Sequence, residues 1–252
     1  MTDTVIISPL THIGEITKAS NIAMHLVSSC KKQNLHIEEG DILVVTQKIV
    51  SKAEGQVVLL SEIEPSDKAI GFATEFKKDP RLIELIFRES KRIVRMDHGV
   101  IISETKQGFI CANAGIDQSN VGNTDTATLL PSDPDASAKL IRSNLQELSG
   151  VQKVAVIISD TWGRPWREGQ VNFAIGVAGM EAIRDYRGEK DSYGYTLSAS
   201  VIGIADELAA SAELVMGKVD KVPAAHIRGY AYQEKNTDAK TLLRNAKIDL
   251  FR

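Results

Sequence analysis

Apolar positions recur along this chain with two different periods, and the period assigns the elements. Ile22, Ala23, Leu26, Val27 and Cys30 fall three and four apart, which predicts an amphipathic helix over 20–32. The run ILVVTQKIV at 42–50 reads as a strand, with the polar stretch Ser51-Lys52-Ala53-Glu54-Gly55 as a bend behind it. Ser66 and Asp67 start a helix over 68–76. Asp79-Pro80 starts another over 81–90, with proline at its first position. Short β runs at 91–96, 100–105 and 108–112, split by His98-Gly99 and Gln107-Gly108, predict a meander. Asp133-Pro134-Asp135 opens a helix over 136–148 that Gly150 closes. A strand over 154–158 follows. Then come a helix from Asp206-Glu207 to Met216, stopped by Gly217, and a last strand over 222–227. Beyond Gly229 the chain is polar, with one exposed helix expected over 238–247. Helices and strands do not alternate strictly and the strands suit antiparallel pairing, so the expected class is α+β, with mixed and largely antiparallel sheets and packed helices.

Composition narrows the function classes. The 252 residues are 43% hydrophobic and 25% charged, which suits a soluble globular chain with a sizeable core. A net charge of −3 argues against a nucleic-acid coat, though a local cationic pocket can still hold a small anion. No apolar run reaches membrane-span length and the first residues carry no signal-peptide pattern, so a cytoplasmic location with no membrane partner is expected. Cys30 and Cys111 show no metal-type spacing and read as buried, reduced thiols. The five histidines form no H-x-x-x-H pair. Walker A and G-x-S-x-G patterns are both lacking.

Three polar clusters carry candidate chemistry. In the first, Lys48 and Lys52 stand four apart at the end of a core strand, where a lysine serves either as a phosphate contact or as part of a solvated turn. In the second, CANAGIDQSNVG, Asp117 offers a hard carboxylate oxygen for Mg²⁺ or Mn²⁺, and Asn120 offers an amide; an Asx turn is the other reading. The third lies in VAVIISDTWGRPWREGQVNFAIG, where a core strand runs into Asp160-Thr161. Arg164 and Arg167 follow as bidentate donors for phosphate or carboxylate, with Trp162 and Trp166 between and beside them. A salt-bridged surface loop with a buried tryptophan is the alternative. Together the clusters suggest a phosphorylated anion held by metal and basic side chains.

The blocks SKAEG, NAGIDQSNVG, LLPSDPDASA, ISDTWGRPWREGQ, FAIGVAGM, RDYRGEKDSYG, IADELAASAELVMGK and VPAAHIRGY occur in this order. The chain closely resembles the coenzyme F420-0:L-glutamate ligase family, as one domain over 1–252 with the tail 230–252 weakly matched. The resemblance implies a family-specific α+β fold forming an intertwined homodimer. It implies addition of L-glutamate to coenzyme F420-0 with GTP as co-substrate, Mg²⁺ or Mn²⁺, and K⁺. It matches Asp117, Asp160 and Thr161 to metal ligands. Asn120 and Lys52 match nucleotide contacts. Ile13, Gly14, Glu15 and Ile16, and the loop that opens with Met216, Gly217 and Lys218, look like further nucleotide-contacting stretches. Gln47 stands where relatives carry a small hydroxyl residue that meets the nucleotide, and Gly14 where many carry proline. Lys52, Arg164 and Arg167 are the catalytic candidates; the resemblance does not assign the two arginines, which are read as holding the coenzyme's phosphodiester or the glutamate carboxylates. Two other readings stay open: a ligase of the same fold acting on another carboxylate, and a non-catalytic deazaflavin- or nucleotide-binding protein.

Overall fold

A computed structural model describes residues 4–118 and 125–250. Its strands in chain order are β1 (Ile6–Pro9), β2 (Ile42–Thr46), β3 (Val57–Leu59), β4 (Ser90–Asp97), β5 (Val100–Thr105), β6 (Ile110–Ala112), β7 (Thr126–Thr128), β8 (Ala155–Arg164), β9 (Arg167–Ala178), β10 (Arg184–Asp185), β11 (Val201–Ile202) and β12 (Ala224–Arg228). Its helices are α1 (Ile22–Lys32), α2 (Gln47–Glu54), α3 (Asp67–Phe76), α4 (Pro80–Glu89), α5 (Pro134–Ser149) and α6 (Ile204–Met216). The main sheet has the order β1-β12-β2-β8-β9. Every pairing in it is antiparallel except the central one, where β2 and β8 run parallel with Ile42 opposite Ala155 and Thr46 opposite Ser159.

The expected α+β class therefore holds. Leu43, Val45, Val156 and Ile158 face one layer, where they meet Leu26 of α1 and Ile141 and Leu145 of α5. Ile42, Val44, Ala155 and Ile157 face the other, against Ala205, Leu208 and Ala209 of α6. Burial on both faces explains why these two strands are unbroken apolar runs rather than alternating ones. A second lobe joins the sheet β4-β5-β6 to α3 and α4 through Phe72, Ile83, Ile86 and Ile101. The ribbon β3-β7 packs Leu60, Leu85 and Ala127 beside it. Cys30 and Cys111 are buried, as expected, and burial pushes their thiols up to about 11 and about 12.

Several boundaries differ from expectation, each for a local reason. The strand from Ile42 stops at Thr46, and QKIVSKAE is helical. Ile49 and Val50 are buried and Ala53 packs on the same core, a helical spacing that overrides their β-branched character. The SKAEG stretch is thus the last turn of α2 and its cap, with Gly55 in the left-handed region at φ 75°. The strand from Val154 does not end at Ile158 either. It continues to Arg164 and returns as β9 across a Pro165-Trp166 turn. Asp206 does not cap α6; its carboxylate accepts the Ala174 N–H of β9 at 2.9 Å. The tail forms one short 3-10 turn, Ala239–Leu242, instead of a helix over 238–247.

That tail is nevertheless tied down. Lys139 and Arg142 of α5 pair with Asp238 and Glu234, and Glu181 pairs with Lys235. Asp135 Oδ1 accepts both the Val177 and the Ala239 N–H, at 2.9 and 2.7 Å. These contacts strap the chain end across α5 and β9.

Asp41, at the mouth of β2, anchors β12. Its buried carboxylate accepts from Arg228 Nε and Nη2 at 2.9 and 2.8 Å, and His226 Nε2 lies 2.7 Å away. Burial opposes ionisation, but the hydrogen bonds from Arg228 and His226 outweigh it and hold the carboxyl down to about 2. A carboxyl depressed below its unfolded value of about 4 stabilises the fold above pH 4 and loses that contribution as pH falls through its folded value. Urea unfolding followed from pH 5 to pH 2 is expected to show on the order of 2 kcal/mol lost from this group between about pH 4 and 2. The Asp41→Asn variant should lack that part of the slope, and an unchanged slope would refute the assignment.

Candidate active site

The C-terminal end of β2 lies beside Ser159, midway along β8, and the candidate residues collect around this point. Thr46 hands the chain to α2, whose first turn carries Gln47 and Lys48; Lys52 follows one turn later on the same helical face. Lys48 Nζ stands 2.6 Å from Asp117 Oδ2. Asp117 is fixed by a two-way backbone pair with Thr128, at 3.0 and 2.8 Å. Asp160 lies beyond the core on β8 and accepts the Thr161 N–H at 2.8 Å.

Burial pushes the Asp160 carboxyl up to about 7; the Thr161 N–H opposes this, the Asp117 charge adds to it, and Lys218 and Lys48 oppose it again. The Asp160 carboxylate thus shares a partly dehydrated space with Asp117, and the Lys48 and Lys218 ammonium groups offset only part of the cost of ionising it.

Consecutive strand residues face opposite sides, so Thr161 points away from Asp160. Thr161 Oγ1 donates to Asn172 Oδ1, its partner across the hairpin. Asn172 Nδ2 donates to Glu213 Oε2 of α6 at 2.9 Å. Lys218 Nζ donates to Thr161 Oγ1 and lies 3.7 Å from Glu213 Oε1. Four side chains from β8, β9, α6 and the following loop close into a ring.

Met216 itself is core, and Gly217 at φ 60° turns the chain so that Lys218 reaches back. The positive φ is what calls for glycine here; the nearest atom to an added Cβ, Asp220 Oδ2 at 2.2 Å, belongs to a side chain that can swing aside.

The other candidates divide. Ile13 and Ile16 are core residues, while Gly14 and Glu15 are exposed on the loop between them. Gly14 has φ 65°, a conformation proline does not reach. The Ala19 N–H donates to Ala53 O at 2.8 Å, which seats this loop against the end of α2. Arg164 and Arg167 are register partners at the hairpin tip, about 10 Å along β8 from Thr161. Trp162 is packing, stacked on Phe173 at 5.3 Å and tilted against Phe109 at 5.9 Å. Trp166 projects from the tip, 82% exposed. Asn120 lies outside the described residues.

Asn172 and Glu213 escape sequence reasoning. Asn172 becomes visible as an inward polar residue only once VNFAIG is paired with β8. Glu213 sits on an alanine-rich helix whose polar positions look like an ordinary wet face.

The donor set suits a hard divalent cation. Among the described residues, no three His, Cys, Asp or Glu side chains converge into a ready cage. One or two carboxylates are what a magnesium-type ion takes from protein when substrate phosphates complete its shell. Gln47 Nε2, just past the end of β2, and Ser159 Oγ, on β8 beside that end, are buried with no hydrogen-bond partner among the described residues.

The family model of F420-0:gamma-glutamyl ligases matches residues 11–229. The coenzyme F420:L-glutamate ligase of Methanothermobacter thermautotrophicus is 49% identical over 235 residues, covering 92% of each chain. That of Methanopyrus kandleri is 44% identical over 87% of this chain and 88% of its own, and that of Methanocaldococcus jannaschii 44% over 86% of each. The family match takes in the β2-β8 junction, the carboxylates Asp117 and Asp160 beside it, and the Thr161 ring, and by it the chain belongs to the F420-0:gamma-glutamyl ligase family.

Proposed function

We propose that this protein is a GTP-dependent ligase that forms an amide between the terminal carboxylate of coenzyme F420-0 and the amine of L-glutamate, as a homodimer assisted by Mg²⁺ or Mn²⁺ and K⁺. The observation that carries this reading is the meeting of Asp117, Asp160, Lys48 and Lys218 where β2 ends beside β8 in a member of this family.

A carboxylate does not react with an amine at neutral pH until it is activated. In the proposed route the γ-phosphoryl group passes from GTP to the coenzyme carboxylate. The bond to the β-phosphate oxygen breaks, and GDP leaves with an acyl phosphate in place. The glutamate nitrogen then attacks the acyl carbon, phosphate departs, and the nitrogen gives up a proton. Phosphoryl transfer of this kind is governed by positioning and charge neutralisation.

Asp117 and Asp160 would hold one divalent ion and Thr161, on the other face of β8, would meet a second; when bound, such ions neutralise phosphate charge. Lys48, Lys52 and Lys218 supply further cationic donors, and Gln47 Nε2 offers a hydrogen bond to a nucleotide oxygen. The 13–16 loop and the 216–218 turn flank the same space as nucleotide contacts, with Asn120 a further one. Arg164 and Arg167, on the tip beyond, would hold the anionic groups of coenzyme or glutamate.

Purified protein incubated with GTP, L-glutamate, Mn²⁺, K⁺ and F420-0 is expected to add a glutamyl mass to the coenzyme and release GDP, read by mass spectrometry. No glutamyl product despite nucleotide binding would reject the acceptor assignment in favour of another carboxylate.

A further inference from the structure

Two of the three candidate metal ligands already carry an ammonium group. Lys48 Nζ lies 2.6 Å from Asp117 Oδ2, and Lys218 Nζ donates to Thr161 Oγ1. The Lys218 contact is built rather than incidental. The Glu213 carboxylate has only acceptor atoms, so it takes the Asn172 Nδ2 hydrogens and fixes which end of that amide faces Thr161. The Asn172 oxygen then receives the threonine proton. With its proton committed, Thr161 Oγ1 can meet Lys218 only as an acceptor. The same lone pairs are what a metal ion requires.

We propose that Lys48 and Lys218 are resident cations at Asp117 and Thr161, each exchangeable for a divalent ion, and that Asn172 and Glu213 are positioning residues that keep Thr161 an acceptor for either. The inference rests on the metal-nucleotide reading above. When metal and nucleotide arrive together, the two ammonium groups give up Asp117 and Thr161 and pair with phosphate oxygens instead. Positive charge near the carboxylates is then conserved through the exchange, and neither half-buried carboxylate is left uncompensated. Each lysine accordingly opposes metal binding alone and favours nucleotide binding. Loss of folding alone would weaken both.

The test is equilibrium binding of Mn²⁺ without nucleotide, read by the paramagnetic resonance of the free ion, with GDP binding measured in parallel by calorimetry. Lys48→Met and Lys218→Met are each expected to bind Mn²⁺ about tenfold more tightly than wild type and GDP about tenfold more weakly. Asn172→Leu and Glu213→Leu should weaken Mn²⁺ binding several-fold, because the threonine proton is then free to face the ion. Glu213→Gln keeps one acceptor oxygen for Asn172 but adds a donor amide that can meet the Asn172 oxygen instead, so it should recover only part of the loss seen in Glu213→Leu. Unchanged or weaker Mn²⁺ binding in both lysine variants, with Asp117→Asn still abolishing it, would overturn the exchange and leave the metal reading standing. Mn²⁺ binding indifferent to both Asp117→Asn and Asp160→Asn would overturn the two together.

Discussion

Asp160→Asn is expected to lower ligase turnover by two to three orders of magnitude while raising Tm at neutral pH. The two effects have one cause. Burial and the nearby Asp117 charge make the ionised Asp160 carboxylate unfavourable, and lift it to about 7. A group raised above its unfolded value of about 4 destabilises the fold where it must be ionised, and the cost disappears as pH falls through 7 toward 4. The neutral amide escapes that cost, so Tm should rise by about 5 °C at pH 8, with the gap to wild type closing near pH 4. Activity falls because an amide is a far weaker cation ligand, and loss of one charge-stabilising group in such a site costs about 3 kcal/mol or more. Calorimetry at pH 8 and pH 4, with GDP release measured at saturating Mn²⁺, checks both halves. An Asn variant that is less stable at pH 8 would show that Asp160 is a structural carboxylate.

Gly176→Ala is expected to cost about 3 kcal/mol, lowering Tm by roughly 10 °C. Gly176 lies on β9 directly under the start of α5, where an added Cβ would stand 2.3 Å from the Pro134 carbonyl oxygen and 2.6 Å from its carbon. Both atoms are backbone, so no side chain can swing aside. The helix would have to lift, and with it the Asp135 carboxylate that accepts the Val177 N–H. Gly163→Ala is the control. It sits on the neighbouring strand with nothing within 4 Å of its Cβ position, and should change stability by no more than about 0.5 kcal/mol. Equal urea midpoints for the two variants would contradict the close approach of β9 to α5.

Periodicity located α1, α3, α4, α5, α6 and the β4-β5 meander because their apolar faces and caps are local features. It failed at Thr46, where one apolar run spans a strand and a helix that share the same core. It failed again at Asp160, because strand residues that have left the core lose the apolar alternation by which strands are read. The candidates Asp117, Asp160 and Thr161 stand out in the sequence where polar chemistry is dense, and Lys218 only through the family resemblance. Asn172 and Glu213 were not, because their roles exist only in the hairpin register and in the approach of α6 to it.

The parallel contact between β2 and β8 also has a kinetic meaning. Ile42 and Ala155 meet across more than a hundred residues, so the contact demands a large loop closure before it returns any stability. The α3-α4 and β4-β5-β6 lobe draws on near neighbours and can condense within that loop. High contact order at the central strands should make their joining the slow step of folding. Gln47, Lys48, Asp160 and Thr161 all extend directly from that junction. Ligand-binding competence should therefore emerge late and all at once, after most of the helical signal has already formed, and refolding followed by Mn²⁺ uptake should lag refolding followed by circular dichroism.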